Sequence, residues 1–137
     1  MGCSRGGFGS KIYGVVNPLS HPVSRTLTGS EAGGNPHLPG LIAGVATKAV
    51  LADTGYDSDA NRVAIRRQGA EPRIPGRTNR TQSVNYDRHR HRYRERNVVE
   101  RFFGRIKQYR RVATRFDKKA AKYLGFVWLA SINIMLA

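Results

Sequence analysis

Apolar positions alternate in the first part of the chain and recur at helical spacing in the last part. Lys11–Val16 (Lys-Ile-Tyr-Gly-Val-Val) reads as a strand, stopped by Asn17-Pro18. Pro22–Thr28 reads as a second short strand. The turn Asn17–His21 between them makes an antiparallel hairpin. The Gly-rich residues 1–10 read as a loop entering the first strand, and Gly29–Gly34 as a loop leaving the second. Asn35-Pro36 marks a helix start with proline at the first helical position. The helix over His37–Val45 is short and weakened by Pro39, Gly40 and Gly44. Lys48-Ala49-Val50-Leu51-Ala52-Asp53 is an apolar run bounded by Thr-Gly, the pattern of a buried strand. Asp57 or Ser58 caps the next helix, which runs to about Gln68 and ends at Gly69. Glu71–Pro75 is a short strand limited by its prolines.

The second half changes period. Gly76–Asp87 has no apolar repeat and reads as a mobile basic loop. From about Tyr86 to Val112 the pattern is helical. Val99, Phe103 and Ile106 fall at i, i+4 and i+7, and Val98, Phe102 and Tyr109 widen that stripe. The other stripe, Tyr93, Asn97, Glu100, Gly104, Lys107 and Arg111, is polar and basic with one carboxylate at its centre. After a break near Thr114–Asp117 the last helix runs from about Lys118 to Leu136, with Phe126, Trp128, Ile132 and Met135 expected in the core. Its apolar run Leu124–Ala137 is shorter than the roughly 20 residues that cross a bilayer.

Composition sharpens this picture of an α/β chain. Its 137 residues suffice for one domain with a modest core. Net charge is +15, from 24 Lys and Arg against 9 Asp and Glu. That excess calls for a polyanionic partner, most simply nucleic acid, with an anionic membrane surface as the rival. The apolar C-terminal run lacks the strong amphipathic moment of a surface-bound helix, so burial is the better account and no membrane role is expected. The one cysteine, Cys3, excludes an internal disulfide or a cysteine metal cluster and fits a reducing compartment. There is no signal-peptide core, and a cytoplasmic location is expected. His89 and His91, at i, i+2 among arginines, fall on different helix faces and read as solvated side chains rather than metal ligands.

Two acids stand out from the basic background. Asp53 follows the C-terminal end of a strand, where open α/β sheets place ligands. It lies too early to cap the helix after Ser58. Glu100 lies on the basic helix face, where a lone carboxylate weakens phosphate binding unless a metal neutralises it. Packed together, the two could share a divalent ion, and oxygen ligands select Mg²⁺ or Mn²⁺ over zinc. Spacing alone equally allows Glu100 to be an ion-pair partner of Arg96 or Arg101.

Leu51-Ala52-Asp53-Thr54-Gly55-Tyr56-Asp57-Ser58, followed by Tyr93-Arg94-Glu95-Arg96-Asn97-Val98-Val99-Glu100-Arg101-Phe102-Phe103, resembles the catalytic half of bacterial insertion-sequence transposases of the DDE type, in the IS-five-like group. Ser4-Arg5-Gly6-Gly7-Phe8-Gly9-Ser10-Lys11-Ile12 resembles a strand entry in that family, and the similarity runs along the whole chain in order. The resemblance implies an RNase H-like domain, a mixed sheet flanked by helices, of which residues 1–137 would be the C-terminal part. It implies three acids holding two Mg²⁺ ions for phosphodiester cleavage and strand transfer, with Asp53 as the second and Glu100 as the third. Tyr93, Arg96 and Arg101 match the signature around Glu100 and are implied to position or neutralise DNA phosphate. Lys107 and Arg111 join them from the basic stripe.

The chain departs from the family at two points. Thr54 stands where lysine is usual. The first aspartate, expected upstream of Ser4-Arg5-Gly6-Gly7 on the first, central strand, is missing; Glu31 is the only acid before Asp53. The fold is therefore expected to be incomplete, lacking that central strand. The partners expected are DNA, as transposon ends and target, and either the N-terminal half of the transposase or a second copy. DNA binding without cleavage by the isolated chain follows. The alternative is a non-catalytic basic nucleic-acid-binding protein in which Asp53 and Glu100 are structural.

Overall fold

A computed structural model of the chain describes residues 2–4, 7–29, 32–84, 96–114 and 118–137. Strand β2 (Gly7–Val16) is its spine. It pairs antiparallel with β3 (Pro22–Gly29), Lys11 opposite Thr28 and Tyr13 opposite Thr26, with a register irregularity at Val15/Val16. The hairpin arises as the alternation predicts. Asn17 closes its loop by accepting the Leu19 and His21 amides on its side-chain oxygen, each at 3.0 Å. Within the stretch expected to be a loop, residues 2–4 and 7–10 are strand. A short strand, β1 (Gly2–Ser4), pairs antiparallel with Gly7–Gly9 and makes a three-stranded sheet in the order β1-β2-β3.

Because successive side chains of a strand point to opposite faces, β2 serves two cores. Ile12 and Val16, with Leu27 of β3, pack against a cluster built by Phe102, Ile106, Val112, Tyr123, Val127, Ala130 and Ile134. Val15 packs on the other side against Leu38, Ile42, Ile65, Ala70 and Ile74. Helices thus cover both faces of the sheet, a mixed α/β arrangement as expected.

The second core holds the middle of the chain. A 3₁₀ turn, Asn35–His37 with Pro36 near its start, leads into α1 (Leu38–Ile42). Strand β4 (Ala49–Leu51) pairs parallel with β5 (Glu71–Arg73), and α2 (Asp59–Arg67) connects them. Ser58 caps α2 by accepting the Asn61 amide at 3.2 Å. Gly69 follows the helix at φ +79°, a conformation that favours glycine. The expected buried strand at Lys48–Asp53 is shorter and wetter than its sequence suggests. Only Ala49–Leu51 pairs, Ala49 and Val50 are half-buried, and Leu51 is exposed. The physical reason is that β4 has a partner on one edge only among the described residues.

The first core gathers the C-terminal half. Helix α3 (Arg96–Ile106) buries Phe102 and Ile106, with Val98 and Phe103 half-buried, while Val99 at the margin of the stripe is exposed. The expected single helix to Val112 is instead broken. Tyr109 is extended, and a separate turn, α4 (Arg110–Ala113), follows. That break lets Val112 face the last helix, α5 (Ala120–Leu136), where Tyr123 donates its hydroxyl to the Val112 carbonyl at 2.8 Å. The proposed helix start near Tyr86, and the histidines at 89 and 91, lie outside the described residues.

The last helix corrects a further expectation. Its buried face is Tyr123, Val127, Ala130, Ser131 and Ile134. Trp128, Ile132 and Met135 are not in the core but about half exposed, and Phe126 is half-buried. The side chains are apolar nearly all round, but only one face of the helix meets the sheet and α3. Among the described residues no helix is long and apolar enough to cross a membrane.

Candidate functional site

Asp53 follows β4 and starts a second 3₁₀ turn, Thr54–Tyr56. Its carboxylate Oδ1 accepts the Gly55 amide at 2.8 Å, so it is an N-cap after all, of this turn rather than of α2. The residue is exposed, and its Oδ2 has no partner among the described residues. An exposed carboxylate with one oxygen fixed and the other uncommitted retains the capacity to bind a cation.

The turn that carries Asp53 is braced on all sides. Asn61, buried on α2, donates its side-chain amide to the Tyr56 carbonyl at 2.9 Å and to the backbone and side-chain oxygens of Asn35 at 3.1 Å. Asn35 in turn donates to the Gly55 carbonyl at 3.2 Å. Tyr56 packs into the second core, and burial, then the Asp53 charge, then the neighbouring Tyr13 push its hydroxyl pKa up to about 12. Gly34 permits this packing. A Cβ there would lie 2.7 Å from the Tyr13 ring and 2.9 Å from the Tyr56 hydroxyl.

Asp57 has a role the sequence does not advertise. Capping of α2 falls to Ser58, and Asp57 is instead the buried centre of an ionic network. Its Oδ1 accepts from Arg62 Nε at 3.0 Å and Nη2 at 2.8 Å, and from Arg80 Nη1 at 2.9 Å. Its Oδ2 accepts the Arg77 backbone amide at 2.8 Å. Burial opposes its ionisation, but the Arg77 amide and the Arg62 and Arg80 guanidinium groups outweigh burial and hold its pKa below the usual carboxylate range. Arg62, itself buried, also donates to the Ile74 carbonyl at 2.7 Å. Arg80 reaches on to Asp59 as well. The stretch after Gly76, expected to be mobile, is therefore tied down at Arg77 and Arg80.

Glu100 is set by a different device. It lies on the exposed face of α3, opposite Phe102 and Ile106. The ion pair with Arg101 is absent: Arg101 donates its Nε to the Asn97 carbonyl one turn back, at 3.0 Å. Arg101 is exposed, as are Lys107 and Arg111 of the predicted polar stripe, and Arg111 also stacks over Phe126 at 4.6 Å from its centroid. Arg96 begins α3, but its side chain lies outside the described part, as does Tyr93 altogether.

Asp53 belongs to the half built on the second core and Glu100 to the half built on the first. Among the described residues no group of three His, Cys, Asp or Glu side chains could hold a metal ion. Asp53 and Glu100 are each a hard oxygen donor, the chemistry that Mg²⁺ and Mn²⁺ prefer. Sequence reasoning missed Asn35, Asn61, Asp57, Arg62, Arg77 and Arg80. Most of their bonds join residues about twenty or more apart, a relation with no local signature.

Comparison with known proteins sets this geometry in a family. A family model described as "Transposase DDE domain" matches residues 50–137. A Brucella ovis protein, "Putative transposase for insertion sequence element IS6501", is 31% identical over 131 residues, which cover 93% of this chain and 98% of that protein. A Burkholderia cepacia protein, "Putative transposase for insertion sequence element IS402", is 31% identical over 133 residues, covering 88% of this chain and 60% of that protein. No solved structure matches. The match takes in most of β4, the Asp53 turn and the Glu100 helix, and the chain belongs to the bacterial insertion-sequence transposases that carry the DDE domain.

Proposed function

We propose that this chain is the C-terminal part of an RNase H-like transposase catalytic domain of the IS-five-like group. In this reading Asp53 and Glu100 are two of its three catalytic carboxylates. The observation that carries the reading is the Asp53 turn: an exposed carboxylate just past a parallel strand, with one oxygen held by Gly55 and the turn beneath it braced by Asn35 and Asn61. A structural aspartate that merely capped three residues would not need that bracing.

Two sheets support the incomplete-fold reading. The antiparallel sheet β1-β2-β3 and the parallel pair β4/β5 are separate among the described residues. A central strand between β4 and the Lys11–Val16 part of β2, which the β1 pairing does not reach, would join them and would carry the first aspartate. It would belong to the N-terminal half of the transposase. In the completed domain Asp53, Glu100 and that aspartate would hold two Mg²⁺ ions. The chemistry such ions supply is activation of the attacking oxygen and stabilisation of the leaving 3′ oxygen. The chain's own contribution is to hold the carboxylates and to bind DNA through Arg101, Lys107 and Arg111, with Arg96 and Tyr93.

The isolated chain then binds DNA and does not cut it. Purified chain is incubated with supercoiled plasmid in Mg²⁺, with and without the N-terminal half. Binding without nicking is expected from the chain alone, and nicking with the half added, lost in Asp53→Ala and Glu100→Gln. Nicking by the chain alone that Asp53→Ala abolishes would overturn the two-carboxylate account. A complemented protein whose nicking survives both substitutions would overturn the site assignment.

A further inference from the structure

Arg77 is fixed beside Asp53 from three directions. Its backbone amide donates to Asp57 Oδ2 at 2.8 Å, its Nε to the Thr54 carbonyl at 3.3 Å, and its Nη2 to the Gly55 carbonyl at 3.0 Å. Gly55 is also the residue whose amide holds the Asp53 carboxylate. One peptide residue thus carries the acid on its N–H and the guanidinium on its carbonyl.

The charge of Arg77 is not used within the described structure. Asp57 is met by Arg62 and Arg80, and Asp59 by Arg80. Among the described residues no carboxylate pairs with Arg77, and its Nη1 has no described partner. The side chain is exposed. Tying down the loop does not require this guanidinium, because the Arg77 amide and the Arg80 side chain already anchor it to Asp57. What remains is an uncompensated cation, preset in position, beside an exposed carboxylate. Guanidinium donors in that setting suit phosphate oxygens.

We propose that Arg77 is a phosphate-contacting residue for the DNA strand that lies at Asp53, and that Asp57 is its positioning residue, acting through the Arg77 amide. This rests on the DNA-binding reading above. The test is equilibrium binding of the full chain to mixed-sequence duplex DNA across a range of salt. The slope of log K against log salt counts the phosphates neutralised, about 0.9 each. Arg77→Gln lowers that slope by about 0.9, one phosphate contact. Arg77→Lys keeps it, since a point charge still neutralises a phosphate. Arg66→Gln, on an exposed turn of α2, serves as a control for loss of a cation elsewhere and leaves the slope unchanged.

Asp57→Asn reproduces the Arg77→Gln loss, and the double variant loses no more than Arg77→Gln alone. A purely structural effect would lower the folded fraction and leave the slope of the folded protein unchanged. A wild-type slope in Arg77→Gln overturns the proposal while leaving DNA binding in place. Arg77→Gln changes an exposed side chain and leaves the buried ion pair intact, so it decides the matter even where Asp57→Asn does not fold. A folded Asp57→Asn with an unchanged slope overturns the positioning role. A wild-type chain that does not bind duplex DNA at low salt overturns the underlying reading and this one with it.

Discussion

The two candidate acids are held by opposite physics. Asp53 sits on a turn fixed by hydrogen bonds: Asn35, Asn61 and Arg77 all reach its backbone, and Asp57 anchors the stretch that carries Arg77. Glu100 sits on a helix fixed by oil. Phe102 and Ile106 are buried beneath it, and no described polar bond reaches its carboxylate. A polar anchor specifies geometry sharply and fails sharply, because each broken bond leaves a buried partner unsatisfied. An apolar anchor tolerates change above it and depends on volume below it. Polar substitutions should therefore be severe near Asp53 and harmless near Glu100, with apolar truncation showing the reverse weight.

The largest effect is expected in the network under Asp53. Asp57 and Arg62 are both buried, their side chains only 1% and 5% exposed. Asp57→Asn leaves the Arg62 charge without its counterpart, a loss of about 3–5 kcal/mol, read from urea unfolding followed by circular dichroism. The pH dependence has a definite sign. The folded pKa of Asp57 lies below its unfolded value, so in acid the unfolded chain binds the proton more readily and stability rises with pH. The contribution is complete above the ordinary aspartate value of about 3.9 and is lost as pH falls through the depressed folded pKa. Asp57→Asn should lose this part of the acid limb. An unchanged acid limb would show that the pair does not set it.

On the other side of the comparison the matching effect is apolar. Phe102 is fully buried and packs in the cluster that joins α3 to β2 and α5. Phe102→Ala should cost about 3–5 kcal/mol through lost transfer energy and the cavity left behind. A loss below about 1 kcal/mol would mean that α3, and with it Glu100, is held by something other than this core. Next in size is Asn61→Ala, which removes one donor from under the Asp53 turn. The Asn35 and Tyr56 carbonyls lose a buried partner, at about 1–3 kcal/mol. Amide exchange at Gly55 should quicken in the same variant, while exchange along α3 stays unchanged.

The same contrast explains what the sequence disclosed. The turn and the second strand of the hairpin were legible to within a residue, because Asn17-Pro18 breaks the strand and Ile12, Val16 and Leu27 share a face, but β2 begins at Gly7, four residues before the expected Lys11. Ser58 and Gly69 marked the ends of α2 for reasons of local backbone chemistry. The buried Phe102 and Ile106 and the exposed Asn97 and Glu100 of α3 followed from a period of 3.6. What stayed hidden was relational. Periodicity names the apolar side of a helix but not what covers it, so Trp128 was expected in the core although α5 has too few neighbours to bury it. The break before Arg110 depends on Val112 meeting Tyr123, eleven residues on. The bonds of Arg77 and Arg80 to Asp57 span 20 and 23 residues, and composition alone made that stretch look like a free loop.

The smallest expected effect on stability tests the contrast most directly. Glu100 is exposed, is not paired with Arg101, and lies among cations on the surface of α3. Glu100→Gln should therefore change stability by less than about 0.5 kcal/mol, the range of surface substitutions away from special features. A larger loss would mean that Glu100 is a structural acid after all and that the basic face needs it. The same variant should bind duplex DNA more tightly than wild type in EDTA, because a carboxylate that repels phosphate has been removed. Mg²⁺ should narrow that difference if the carboxylate recruits the ion, since the neutralised acid no longer opposes the phosphate. Equal DNA affinity of the two proteins in EDTA would show that phosphate does not approach Glu100, and that this face of α3 is not part of the DNA path.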